Sequence, residues 1–294
     1  MSSGKKKLLI NTDAGIDDAQ AILMALNDPD VEVVAITTSH GNTFEHHVCR
    51  NVLRLLKMAG RLDIPVYRGA AKSLIGESIT GIYYHGSDGF GDVSDPEAPE
   101  LTHAESEHAV LAIIRMAKKY SGELILIQLA PATNIALALR IDPDLGRKFK
   151  ACYMMGGNYE GKGNITNSAE FNFHSDPEAA AVVLEELSCP LYLVCWELCL
   201  KHILTWMIYK DSDHYVTADQ LVMAIVLDRE AVIKKEKLVH CDVEISGKHS
   251  RGSMIVSWPS PLQQPPQDKQ QRCIHLILEI NHDLFSEMLL KATD

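Results

Sequence analysis

The chain has 294 residues, 46% of them hydrophobic, and a formal net charge of −11. That is enough length and apolar content for one large α/β domain or two small ones, and the acidic balance argues against a polyanionic partner such as nucleic acid. No apolar run approaches the ~20 residues that span a bilayer, and the N-terminus offers only Lys5-Lys6-Lys7 in place of a signal-peptide core, so the expectation is a cytoplasmic protein away from membranes.

In chain order, a strand over 7–12 runs through a turn into a helix over 17–28. Asp13, Asp17 and Asp18 fall within these six positions, with Gly15 between them. Three like charges so close together need an offset, either a helix N-terminus or a bound cation. Capping by Asp17 would account for that residue alone. It leaves Asp13 unexplained across the turn, and three oxygen donors suit a hard cation such as Ca²⁺ or Mg²⁺.

A strand over 32–38 and a helix over 44–60 follow, then a strand at 64–67 and a helix over 104–120. The alternation continues with strand 123–129, helix 132–140, strand 150–155, helix 176–187, strand 190–196 and helix 217–228. Asp176-Pro177-Glu178 has the form of a helix start, with Asp at the N-cap and Pro at N1. Near the C-terminus 237–245 and 253–257 form a hairpin joined by Ser246-Gly247-Lys248-His249, followed by strand 272–280 and a helix from His282. The stretch Pro259 to Gln271 is a loop, and no linker or internal repeat divides the chain. The predicted fold is a single α/β domain over 1–294, with a mostly parallel open sheet flanked by helices and antiparallel strands near the C-terminus. The seven cysteines have no paired spacing and read as reduced, mostly buried thiols; Cys195 and Cys199 lack a second pair at zinc-site spacing.

Ligands of open α/β sheets sit beyond the carboxyl ends of the strands. Polar clusters recur there: Asp13, His40-Gly41-Asn42, Pro131 with Thr133 and Asn134, Met155-Gly156-Gly157-Asn158, and Glu197. Five on one rim, with the Asp cluster, predict a polar pocket.

These residues resemble the nucleoside hydrolases of the inosine–uridine-preferring type. That family opens with Asp-x-Asp-Pro-Gly-x-Asp-Asp-Ala, which Asn11-Thr12-Asp13-Ala14-Gly15-Ile16-Asp17-Asp18-Ala19 matches with two changes. The likeness continues through His40-Gly41-Asn42, Tyr84-His85-Gly86-Ser87-Asp88-Gly89 and Leu129-Ala130-Pro131-Ala132-Thr133-Asn134. Met155-Gly156-Gly157, Gly163-Asn164, Glu170-Phe171-Asn172 and Asp176-Pro177-Glu178-Ala179-Ala180 follow, and then Asp219. The resemblance implies a Ca²⁺-dependent hydrolase that splits ribonucleosides into ribose and free base. It implies Ca²⁺ held by Asp13, Asp18, Asp219 and the backbone carbonyl of Thr133, with Asp13 also the general base on the attacking water. By the same likeness, Asp17, Asn172 and Asp219 would grip the 2′- and 3′-hydroxyls, and Asn164 and Glu170 the 5′-hydroxyl. Asn42 and Met155 would line the sugar, and His85 and Phe171 would face the base. Tyr83, Tyr84, Phe90 and Tyr215 are candidates to stack on that base. A homodimer or homotetramer is expected on the same ground.

Three departures stand out. Asn11 replaces an Asp that is not a metal ligand in the family pattern, and Ala14 replaces a Pro, which relaxes the turn. Ala218 stands where family members carry a His as candidate leaving-group acid, and the segment 198–218 is short. His214 and Tyr215 lie just upstream as possible replacements. Two other functions compete: a non-catalytic protein that keeps ribose and Ca²⁺ binding but has lost its base-side machinery, and a metal-dependent phosphohydrolase. The last is disfavoured because no Gly-Lys-Ser/Thr phosphate loop or Arg clamp is evident.

Overall fold

The structure is a computed structural model and describes residues 4–77, 79–204, 215–258 and 272–293. The first half alternates as expected: β1 (Lys6–Thr12), α1 (Ile16–Asn27), β2 (Val31–Thr38), α2 (Glu45–Met58), β3 (Val66–Tyr67), the single turn α3 (Ile82–His85), α4 (Ala109–Lys119), β4 (Leu124–Gln128), α5 (Thr133–Ile141) and β5 (Ala151–Met155). Next come α6 (Phe171–Ser175), α7 (Pro177–Glu186), β6 (Leu191–Val194), α8 (Trp196–Lys201), α9 (Asp219–Leu227), α10 (Arg229–Val232), β7 (Ile233–Val243), β8 (Met254–Ser257), β9 (Ile274–Ile280) and α11 (His282–Thr293). The four short helices α3, α6, α8 and α10 are additions to the predicted set, since one turn of helix is too short to show a period. The predicted helix 104–120 begins only at Ala109, after a 3₁₀ turn at Leu101–His103.

Nine strands form one sheet in the order β3-β2-β1-β4-β5-β6-β9-β7-β8. Pairing is parallel from β3 through β9, and β7 runs antiparallel to both β9 and β8. The central strands are apolar on both faces. Leu8, Ile10, Ile125 and Ile127 pack toward α1, α2, α9 and α11, while Leu9, Leu124 and Leu126 pack toward α4, α5 and α7. The two-residue side-chain period of a strand thus feeds two cores, one on each side of the sheet. Among the described residues no helix is long and apolar enough to cross a membrane. Six of the seven cysteines are buried, Cys273 is exposed, and none is paired.

Chain order reverses at β1, which has β2 on one side and β4 on the other. The loops leaving β1 and β4 therefore diverge to opposite faces and open a crevice between them. The opposite side of α5 is clamped by a structural acid. Asp176 caps α7 by accepting from the Ala179 N–H (3.1 Å), with Pro177 at the first helical position, as its sequence context predicts. It also accepts from the Thr133 hydroxyl (2.6 Å) and the Leu74 N–H (2.9 Å). Asp176→Ala removes a cap and leaves two buried donors unmatched, so we expect a loss of about 2–4 kcal/mol in urea unfolding.

Candidate active site

The carboxylate cluster is assembled from three places in the chain. Asp13 follows β1, Asp17 and Asp18 occupy the first turn of α1, and Asp219 is the first residue of α9. Two helix N-termini therefore converge on the same group of acids, each favouring negative charge. Helix α9 packs its apolar residues against α1, and a polar clasp joins the two at their N-terminal ends. The Gln220 amide accepts from the Ala218 N–H (3.0 Å) and donates to Gln20 (2.6 Å), which also accepts from the Tyr215 hydroxyl (2.8 Å).

Each acid has a different set of partners. Asp18 accepts from the Thr12 hydroxyl (2.5 Å), the Gly15 N–H (2.8 Å) and the Asn42 amide (3.0 Å). The helix-capping role thus belongs to Asp18, at the third helical position, and not to Asp17. Asp17 Oδ1 is buried with no hydrogen-bond partner, and its nearest charge partner is His85 Nε2 at 3.7 Å. Asp13 accepts from the Asn42 N–H (2.8 Å). That approach requires glycine at position 41, where φ is +156° and a Cβ would overlap the Asp13 carboxylate. One oxygen each from Asp17, Asp18 and Asp219 lies within 4.8 Å of the others.

Burial dominates the electrostatics. It pushes Asp17 and Asp18 up to about 6, with the charge of Asp17 adding to the rise at Asp18. Asp13 and Asp219 are raised further, by burial first and then by the neighbouring carboxylates. Among the described residues no Lys or Arg forms an ion pair with any of the four. Burial lowers the His85 imidazole, so it is neutral near pH 7. Its Nδ1 accepts from the Ile16 N–H (3.3 Å), which assigns the proton to Nε2, on the side of Asp17.

The cluster forms one wall of a pocket beyond the carboxyl ends of β1, β4 and β5. Asp13, Asp17, Asn42, His85, Met155, Asn164, Glu170, Phe171, Asn172 and Asp219 all line it, and Asp18 stands behind them, bonded to Thr12, Gly15 and Asn42. Glu170 lies in a nest of backbone N–H groups, accepting from Asn172 (2.8 Å), Phe173 (3.1 Å) and Gly157 (2.8 Å). Burial pushes it up to about 7 despite those bonds. Asn172 donates to the Leu129 carbonyl (2.6 Å), at the end of β4.

Two expectations need correction. Thr133 does not reach the pocket: it opens α5, so its carbonyl enters the helix ladder, and its hydroxyl binds Asp176 and His40. The backbone that does line the pocket there is Leu129. Tyr215 is committed to Gln20 and Phe90 lies under Arg54 (5.4 Å), so of the four stacking candidates only Tyr83 and Tyr84 line the pocket. His214 lies outside the described residues. The sequence reading also missed Trp196 and Val216, which stand in the wall with Ala218. An apolar Trp at the first position of α8, separated from the end of β6 by one residue, carries no polar signal in the sequence. Ala14 adopts φ +32°, which a proline ring forbids, so its replacement of Pro changes the turn more than a simple relaxation. Asn11 is fully buried, donating to Gln128 (3.0 Å) and accepting from Thr37 (2.9 Å) and Asn134 (2.8 Å). An amide, with both donor and acceptor, fits that network behind the pocket.

Comparison with known proteins agrees with this geometry. Residues 8–287 match the family model described as inosine-uridine preferring nucleoside hydrolase. The chain is 32% identical over 285 residues to the inosine-uridine preferring nucleoside hydrolase of Crithidia fasciculata, covering 87% of this chain and 89% of that protein. It is 39% identical over 180 residues to uridine nucleosidase 1 of Arabidopsis thaliana, covering 60% of this chain and 53% of that protein. The chain spans about half the length of the plant relatives it matches. A solved inosine-guanosine nucleoside hydrolase superposes with a TM-score of 0.89 at 32% identity, over 97% of this chain and 98% of that one. The strand order, the pocket at the reversal point and this match over nearly the whole chain agree: the protein belongs to the inosine-uridine preferring nucleoside hydrolase family.

Proposed function

We propose that this protein hydrolyses the N-glycosidic bond of ribonucleosides, releasing ribose and free base, with Ca²⁺ as cofactor. The observation that carries the reading is the convergence of four carboxylates, Asp13, Asp18 and Asp219 buried and Asp17 partly so, at a pocket that Asp13, Asp17 and Asp219 line and whose other polar groups, Asn164, Glu170 and Asn172, are spaced around its walls. The donor set fits a hard cation. Every candidate ligand is oxygen, the acids lack a cationic partner among the described residues, and Asp17 holds an unpartnered oxygen in the site. Asp13, Asp18 and Asp219 would hold the ion, with the Leu129 carbonyl taking the place expected of Thr133. When bound, the ion supplies positive charge that acidifies water and orients a diol.

The chain's own residues do the rest. Asp13 takes the proton of the attacking water. Asp17, Asn172 and Asp219 hold the 2′- and 3′-hydroxyls, Asn164 and Glu170 hold the 5′-hydroxyl, and Asn42 and Met155 bound the sugar. Positive charge develops at C1′ as the bond to the base lengthens, and the surrounding carboxylates stabilise that state more than the ground state. The leaving base faces Tyr83, Tyr84, His85, Phe171 and Trp196. Water arrives on the opposite face, as in inverting glycoside hydrolysis.

Ala218 provides no proton for the leaving base, and we assign that role to His214. Full activity in His214→Ala would remove it and pass the role to His85, which lines the pocket and carries its proton on Nε2. The direct test is reducing-sugar release from inosine and uridine with and without added Ca²⁺. No release by a folded, Ca²⁺-binding protein would favour the non-catalytic alternative, for which the apolar Val216 and Ala218 in the wall are the supporting observation. The unpaired cysteines suit a reducing compartment, and we place the protein in the cytoplasm.

A further inference from the structure

Glu197 does not line the pocket, yet its carboxylate is buried and fully engaged. It lies in the first turn of α8, 2% exposed. Its Oε2 accepts from the Tyr159 N–H (2.9 Å), and its Oε1 from the N–H groups of Glu160 (2.7 Å) and Lys162 (3.4 Å). Three donors of the loop that follows β5 thus wrap around one anion. The far half of the loop closes on itself, with Gly163 N–H to Asn167 carbonyl and Asn164 N–H to Ala169 carbonyl, both 3.2 Å. Asn158 ties the halves together by donating to the carbonyls of Lys162 (3.1 Å) and Ser168 (2.8 Å). The loop's contribution to the pocket is Asn164, an exposed residue at the rim.

We propose that Glu197 is a positioning residue: it holds the loop 158–169 in the wrapped form that presents Asn164 to the 5′-hydroxyl of the sugar. The inference rests on the nucleoside reading given above. An exposed loop of polar residues has many open conformations of similar energy. A buried carboxylate removes that freedom, because its charge is compensated only when the N–H donors face it. An amide cannot replace it, since both oxygens accept and an amide NH₂ would meet an N–H on one side.

The test compares kcat/KM for inosine and 5′-deoxyinosine in the parent protein, Glu197→Gln, Asn164→Ala and the double variant. We expect Glu197→Gln to lower the value for inosine about tenfold, mostly through KM, and that for 5′-deoxyinosine less than about twofold. Asn164→Ala should show the same selective loss, with the double variant no worse than Asn164→Ala alone. Equal losses on both substrates, no loss on either, or additive losses in the double variant overturn the proposal. Should Glu197→Gln fail to fold, Glu197→Asp must show the selective loss in its place, and an unselective effect there counts against it equally. The hydrolase reading fails separately, if the parent cleaves neither nucleoside. The same comparison is then made with dissociation constants, and a parent that binds inosine no better than 5′-deoxyinosine overturns the role of Glu197.

Discussion

Asp13→Asn is expected to lower ribose release by about 10³-fold or more while raising the stability of the metal-free protein. Both effects have one cause. The Asp13 carboxylate is buried beside Asp18, and burial and that neighbouring charge raise its proton affinity. A raised affinity suits a group that must take a proton from water. It also makes the ionised form costly in the fold when no cation is present. The amide keeps the shape and still accepts from the Asn42 N–H, so the packing around Gly41 is retained. Initial rates with inosine and uridine, alongside urea unfolding in chelator, measure the two effects. A variant keeping more than about a tenth of the parent rate would remove Asp13 as the base. A less stable metal-free variant would mean that the cluster is not under charge strain.

The second large effect is a Ca²⁺-dependent reversal of a pH trend. Burial raises the folded-state values of Asp17 and Asp18 to about 6, above the ordinary carboxylate value near 4, and raises Asp13 and Asp219 as well. Between those values the folded chain binds more protons than the unfolded chain, so stability falls as pH rises. The contribution is full below about pH 4 and is lost through about pH 6 for Asp17 and Asp18, with Asp13 and Asp219 extending the loss upward. Metal-free protein should therefore melt lower at pH 8 than at pH 5. Ca²⁺ at about a thousand times its Kd should add about 4 kcal/mol at pH 8, or roughly 10 °C in Tm. At pH 5 protons compete for the same oxygens, and the gain should be small. Differential scanning fluorimetry over pH, with chelator or Ca²⁺, provides the reading. A flat pH profile without metal, or equal Ca²⁺ effects at the two pH values, would contradict the proposed site.

Much of this arrangement is legible locally. The strand–turn–helix over residues 7–28 puts Asp13, Asp17 and Asp18 at one strand end, because the apolar period changes where the charges begin. Asp176-Pro177 announces the start of α7 through its own cap chemistry, and the hairpin of β7 and β8 follows from its turn residues. These features depend on neighbours a few positions apart, which a sequence displays directly. Tertiary structure alone decided the rest. Asp219 joins the cluster because α9 packs its apolar face on α1, with Gln20, Tyr215 and Gln220 bonded across the same seam. The Thr12 hydroxyl and the Gly15 and Asn42 N–H groups satisfy Asp18 and leave Asp17 with a free oxygen, although the two carboxylates are adjacent in sequence. Leu129 lines the pocket where Thr133 was expected because the helix begins between them and turns the Thr133 carbonyl into its own ladder. Glu197 turns inward to the loop after β5, and Trp196 outward to the pocket. Residue types and local periods determined which groups could carry the chemistry. Which oxygen is left free, and which side chain faces the pocket, depended on hydrogen bonds and packing between segments as much as 200 residues apart.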